Sequence, residues 1–157
     1  MDGKKFYNDV NPVQFGQQAC KKSHGFGPAI RTHWLIHFVV SGKGKFIING
    51  HEHILRRDEM FIIPPFVETY YEADAEYPWE YIWIGFESES LPFNLGETVY
   101  CPEARYVFEK IIDADNYHNG RTEYLCARIF ELFSLILESK SQKGDHVERA
   151  LSIINSE

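Results

Sequence analysis

The β-prone runs between His33 and Glu87 are all short, and turn residues end each one. His33 to Val40 stops at Ser41-Gly42-Lys43-Gly44. Lys45 to Ile48 leads into Asn49-Gly50, and His51 to Leu55 returns from it. Both positions of an Asn-Gly pair tolerate positive φ, so this dipeptide predicts a tight hairpin. Arg57-Asp58-Glu59 reads as a further turn and Met60 to Ile63 as the next strand. Pro64-Pro65 stops that ladder, because proline has no amide hydrogen to donate. Thr69 to Glu72 and Glu80 to Glu87 complete the series. Short strands at this spacing predict a sandwich or a barrel.

The chain divides into unlike parts. Residues 1–100 carry the β pattern, opening with a polar arm over 1–28 that contains Pro12, Gly16, Gly25, Gly27 and Pro28 and shows no sustained period. Residues 101–141 read as two helices. One runs from about Pro102 or Glu103 to Tyr117 and is broken by Asn119-Gly120; the other runs from about Thr122, as N-cap, to Ser141. Ser141 to Asp145 reads as a polar linker. From His146 a new helical pattern begins, with Val147, Ala150, Leu151 and Ile154 on one face.

The longer helix carries two apolar stripes, Leu125, Ile129, Leu132 and Ile136, and Cys126, Phe130, Phe133 and Leu137. Together they exceed one packing face. Either the chain buries the helix on two sides, or a second copy covers one stripe. The second reading predicts a homodimer through Leu125, Ile129, Leu132, Phe133 and Ile136, with Ile129, Leu132 and Ile136 chosen for the partner face.

Sixteen Lys and Arg stand against 23 Asp and Glu, a formal net charge of −7. That balance repels a phosphate backbone and argues against DNA contact by these residues. Cys20, Cys101 and Cys126 are odd in number and lack CxxC spacing, which points to reduced thiols rather than disulfides or zinc. No signal peptide or membrane span is evident, so a cytoplasmic protein is expected. Aromatics reach 15%, and all three Trp fall between residues 34 and 83. Flat rings gathered in one part of a β domain suit a cavity for small polar ligands with apolar faces.

Four segments resemble one family. Leu35-Ile-His-Phe-Val-Val-Ser-Gly-Lys-Gly44 resembles the first core strand and turn of AraC-type transcription regulators. Asp58-Glu-Met-Phe-Ile-Ile-Pro-Pro65 is similar to their strand that ends in a double proline. Tyr71-Glu-Ala-Asp74, followed by Pro78-Trp-Glu-Tyr-Ile-Trp-Ile-Gly-Phe86, is similar to the next hairpin. His146-Val-Glu-Arg-Ala-Leu-Ser-Ile-Ile154 resembles the start of their helix-turn-helix domain. The resemblance implies an α+β fold: a cupin-like, jelly-roll β-barrel that binds a small effector, then a helical pair for dimerisation. Residues 142–157 would be a linker and the beginning of a separate domain that reads DNA.

Cupin barrels also house metal enzymes, so a stand-alone metal-dependent cupin is the alternative. Laid on Gly42, the ligand positions of such enzymes fall at Leu35, near Ala29 and Arg31, and at Thr69. None is a His or Glu, so no catalytic residues, no bound metal and no cofactor are expected. His51 and His53 form a tempting pair, since alternation puts both on one face of a strand. They lack an evident third ligand and read as solvated hairpin residues.

The same alignment turns Leu35 inward. Arg31, His33 and His37 share its parity. The resemblance places Tyr71 and Trp83 where effector-contacting aromatics lie, and Thr69 and Tyr81 share their parities. The candidate effector site is therefore Arg31, His33, His37, Thr69, Tyr71, Tyr81 and Trp83. A sugar or sugar acid fits this set, with Trp83 stacking on the ring and Arg31 donating to hydroxyls or a carboxylate.

Overall fold

The computed structural model describes residue 7 and residues 9–155, with side chains described up to residue 140. Nine strands precede two helices: β1 Asn11–Ala19, β2 Gly25–Ala29, β3 Trp34–Ser41, β4 Lys43–Ile48, β5 His51–Arg56, β6 Glu59–Ile63, β7 Thr69–Ala73, β8 Glu80–Glu87 and β9 Thr98–Tyr100, then α1 Ala104–Ile112 and α2 Arg121–Asn155. A 3₁₀ turn, Asp113–Asn116, follows α1. One antiparallel sheet has the order β1-β8-β3-β6-β9 and the other β2-β7-β4-β5. Two curved antiparallel sheets facing one another make a cupin-type barrel, and the helices pack outside it.

The expected hairpin is present. Asn49 and Gly50 have φ of 52° and 77°, and β4 pairs with β5 from Ile48↔His51 to Lys43↔Arg56. Such φ values are easy for these two residues and strained for most others.

The apolar run in β3 has a specific cause. Leu35 and Val39 face the barrel interior with Phe46, Phe61 and Tyr81. Ile36 and Phe38 face the other way, into a core shared with Val107 and Phe108 of α1 and with Ile129 and Phe133 of α2. A strand covered on both faces shows no polar alternation. β8 behaves alike, with Tyr81 inside and Ile82, Ile84 and Phe86 beneath the helices.

Arg105 anchors α1 to the barrel. Its guanidinium donates to Asp58 Oδ1 at 2.8 and 3.1 Å and to the Val40 carbonyl at 2.8 Å. Asp58 sits at φ 69° in the turn between β5 and β6, which aims its carboxylate at the helix.

Four expectations need correction. The polar arm, read as having no sustained period, contains two strands, β1 and β2. β1 lies at a sheet edge and is mostly exposed, so burial imposes no strong alternation on it. The short edge strand β9 also went unread. The first helix ends at Ile112, and α2 begins at Arg121, where the Gly120 carbonyl accepts the Tyr124 amide at 3.0 Å. Finally, Ser141 to Asp145 is no break, because α2 runs through it to Asn155. A single glycine costs a helix only about 1 kcal/mol, which neighbouring good formers can offset. The side chains of the segment likened to a helix-turn-helix start lie outside the described residues.

The dimer face assigned by sequence is also corrected. Leu125, Ile129, Leu132, Phe133 and Ile136 are all buried in the chain's own core. At about 100° per residue these five fall within one arc of roughly 100°. They are one face, directed at the barrel, and not two. Cys126 and Leu137 stand half-buried at its margin, and Phe130 is 40% exposed.

Candidate functional site

Five of the seven expected site residues line one cavity. Arg31, His37, Tyr71, Tyr81 and Trp83 meet there, joined by Gln14, Gln18, Phe26 and Leu35, around a volume of about 180 Å³. β3 supplies His37, β7 Tyr71 and β8 the last two aromatics. Arg31 comes from the connection between β2 and β3. His33 stands one contact away, where the Gln14 side-chain amide donates to its Nε2 at 3.0 Å. Thr69 is buried on β7 but borders a different hollow, at the β4–β5 turn. The structure therefore does not bring Thr69 to the aromatic cavity.

Gln14, Gln18 and Phe26 escaped the sequence reading because they lie on β1 and β2. Gly16 was the available signal. It pairs with Trp83, and a Cβ there would lie 2.4 Å from the indole Cζ2. The missing side chain makes room for the indole, and Gln14 and Gln18, two positions to either side, flank it.

The walls are rings at contact distance. His37 stacks on Phe61 with centroids 4.4 Å apart, and Tyr71 and Tyr81 stand 5.0 and 4.9 Å from it. Tyr81 meets Trp83 edge to face at 5.8 Å. Arg31 lies over Phe26 at 4.7 Å and donates a long hydrogen bond, 3.4 Å, to the Tyr71 hydroxyl. Burial pushes the Tyr71 and Tyr81 phenols up, so both stay neutral donors.

Two polar atoms here have no partner. Arg31 Nη1 and His37 Nδ1 are buried and make no hydrogen bond among the described residues. Among the described residues no carboxylate pairs with Arg31. An unsatisfied buried donor costs on the order of 1–3 kcal/mol, more when charged. The protein bears that cost at the wall of a cavity, where an incoming molecule can relieve it.

Burial, and then the nearby Arg31 charge, lower the His37 pKa from 6.5 to about 3. The unfolded chain thus takes up a proton below pH 6.5 that the folded chain refuses. Stability contributed by neutral His37 is complete above the unfolded value and falls as pH drops toward 3, by up to about 1.4 kcal/mol per unit. Other groups add their own slopes, so the comparison is with a variant. Between about pH 7 and pH 5 the native protein is expected to lose roughly 4–8 °C more in Tm than His37→Phe. Parallel melting curves across that range would contradict the assignment.

A larger cleft of about 940 Å³ opens between β9 and the far part of α2. Two of its polar side chains are already engaged: Ser139 donates to the Tyr100 carbonyl and Lys140 to that of Asn94. No convergent rings line it, so the smaller cavity has the better chemistry for recognition.

His51 and His53 are not free hairpin residues. Both rings reach Glu97 Oε1, through Nδ1 and Nε2 respectively, at 2.8 Å each. The third group is thus a glutamate far along the chain, which spacing alone could not reveal.

This architecture, a cupin-type barrel with a ring-lined cavity and a packed helical pair, defines a small-molecule-binding domain. The chain belongs to the AraC-like ligand binding domain family, whose model matches residues 11–154. It is 31% identical over 170 residues to the Msm operon regulatory protein of Streptococcus mutans, an alignment covering 95% of this chain and 61% of that protein. It is 36% identical over 82 residues to the raffinose operon transcriptional regulatory protein RafR of Pediococcus pentosaceus, covering 51% of this chain and 30% of that one. The chain thus spans less than two thirds of these relatives. Among solved structures it is similar to a predicted oxalate decarboxylase of Thermotoga maritima, at 13% identity and a TM-score of 0.45 over 48% of this chain and 67% of that one. No helix among the described residues is long and apolar enough to cross a membrane.

Proposed function

We propose that this chain is the effector-sensing domain of a cytoplasmic transcription regulator, that its effector is a sugar or sugar acid bound in the aromatic cavity, and that it has no catalytic role. The observation that carries this reading is the buried, unpaired Arg31 Nη1 beside His37 Nδ1 on the cavity wall. A guanidinium in that state suits a ligand hydroxyl or carboxylate. The indole of Trp83 suits the C–H face of a sugar ring, and the Gln14 and Gln18 amides suit its other hydroxyls. A volume of about 180 Å³ equals roughly six liquid waters. That favours a single ring over an extended chain. One relative is named for a raffinose operon, in keeping with a sugar effector.

β8 carries Trp83 on the cavity side and Ile82, Ile84 and Phe86 under the helices. A ligand that seats Trp83 therefore acts on the sheet that supports α2. DNA would be read by another part of the full-length regulator, since this domain carries a net charge of −7. A homodimer built on α2 would use the margin holding Phe130 and Leu137, which lie outside the core among its described side chains.

A thermal-shift screen against monosaccharides and uronic acids tests the reading. A true effector present at about 100-fold its Kd stabilises the fold by about 2.7 kcal/mol, a rise of roughly 5–10 °C. A flat response across both classes would remove the single-ring sugar assignment.

A further inference from the structure

We propose that His51, His53 and Glu97 form a binding site for a divalent transition-metal ion, zinc above all, between the β4–β5 hairpin and the segment that leads into β9. His51 Nδ1, His53 Nε2 and a Glu97 carboxylate oxygen all lie within 4.8 Å of one another. The two nitrogens each stand 2.8 Å from Glu97 Oε1. A tetrahedral ion with bonds near 2.1 Å holds its ligand atoms about 3.4 Å apart, so each nitrogen would draw back from the Glu97 oxygen by about half an ångström to admit it. Two imidazoles and one carboxylate suit zinc and its neighbours, whereas calcium and magnesium prefer oxygen alone.

The surroundings resemble those of a prepared site. Strand alternation puts both rings on the face of β5 that also carries the buried Leu55. The His53 ring lies against Phe46, centroids 6.3 Å apart, which limits its rotation. Asn49 Nδ2 donates to the other carboxylate oxygen, Glu97 Oε2, at 3.2 Å and orients it. The His51 side chain is 64% exposed, leaving a path for the ion and room for a water as fourth ligand. On binding, each imidazole presents a lone pair at the nitrogen now hydrogen-bonded to Glu97 and carries its proton on the other.

The consequence is a clasp between sheets. His51 and His53 belong to the β4–β5 hairpin of one sheet. Glu97 leads into β9 of the other, and its carbonyl accepts the Ile62 amide at 3.0 Å. An ion here joins the sheets where they share no ladder.

The test uses the full chain, dialysed against chelator and titrated with zinc in competition with a chromophoric chelator. Cobalt serves as a spectroscopic reporter. The expected result is one ion per chain, a tetrahedral cobalt spectrum and a higher Tm with zinc. His53→Ala and Glu97→Gln should each weaken binding about tenfold or more, since loss of even outer-shell partners costs that much. His51→Ala alters an exposed side chain and provides a variant that keeps its fold. Absence of saturable one-to-one binding in the native chain would overturn the proposal. So would an unchanged zinc affinity in all three variants, which would place the ion elsewhere on the chain.

Discussion

Ile129→Glu is expected to unfold the domain, while Phe130→Glu, one residue further on, leaves it folded. Ile129 is fully buried in the core between the five-stranded sheet and the helices. Truncating such a residue costs about 2–5 kcal/mol, and an unpaired charge in its place adds several more. Domains of this kind are stable by only about 5–15 kcal/mol. The substitution consumes most or all of that margin. Phe130 loses edge contacts to Tyr7 and Phe133, at 5.0 and 5.5 Å, but its carboxylate would remain in water. Its cost is on the order of 1–2 kcal/mol, a few degrees of Tm. Circular dichroism and urea melts separate the outcomes, and a cooperative, near-native melt for Ile129→Glu would contradict the assigned face. Sedimentation of Phe130→Glu beside the native chain then shows whether this margin of α2 also carries a dimer contact.

That pair of outcomes reverses the expectation from sequence, and the reason is geometric. Both apolar stripes of α2 satisfy helical periodicity, and periodicity does not say where the barrel lies. Phe133 joins the face of Leu125 and Ile129, so the apparent second stripe loses its largest buried member. The strands from β3 to β8 were legible because their turn residues, Asn49-Gly50 and Pro64-Pro65, have one conformational use each. Inward parity was legible as well, since a single anchored residue, Leu35, sets every second neighbour. It gave Arg31 and His37, the family resemblance gave Tyr71 and Trp83 with Tyr81 at the parity of Trp83, and the five line one cavity. Parity does not say how far along the barrel a residue sits, which is how Thr69 was drawn in. Gln14 and Gln18 were hidden by a different cause. On an exposed edge strand, a glutamine facing a cavity and one facing water look alike.

Glu97 shows a further limit. A carboxylate lying 44 residues after His53 meets it only once two sheets have closed on each other. Long-range contacts between polar side chains leave no periodic trace, and a pair of histidines reads as solvent-exposed until its partner is in place.

Trp83→Ala and Arg31→Ala are each expected to weaken effector binding by about 5- to 150-fold, the equivalent of about 1–3 kcal/mol, while the domain stays folded. Both side chains are only half-buried, so their loss removes little of the core. Trp83 offers a ring whose space is held open by Gly16. Its truncation removes the stacking surface and lets water into the cavity. Arg31 offers a charge whose Nη1 has no partner among the described residues, so a ligand gains the full benefit of satisfying it. The two variants also distinguish ligand classes. A uronate would pair its carboxylate with the guanidinium, and Arg31→Ala would then be the more damaging change. For a neutral sugar, stacking dominates and Trp83→Ala costs more. Arg31→Lys keeps the charge but loses the planar fork, so it should rescue little binding of an acid held by two hydrogen bonds. Calorimetric titration of the variants with the best compound from the screen measures all of this. Native affinity in both alanine variants would move the effector site out of this cavity.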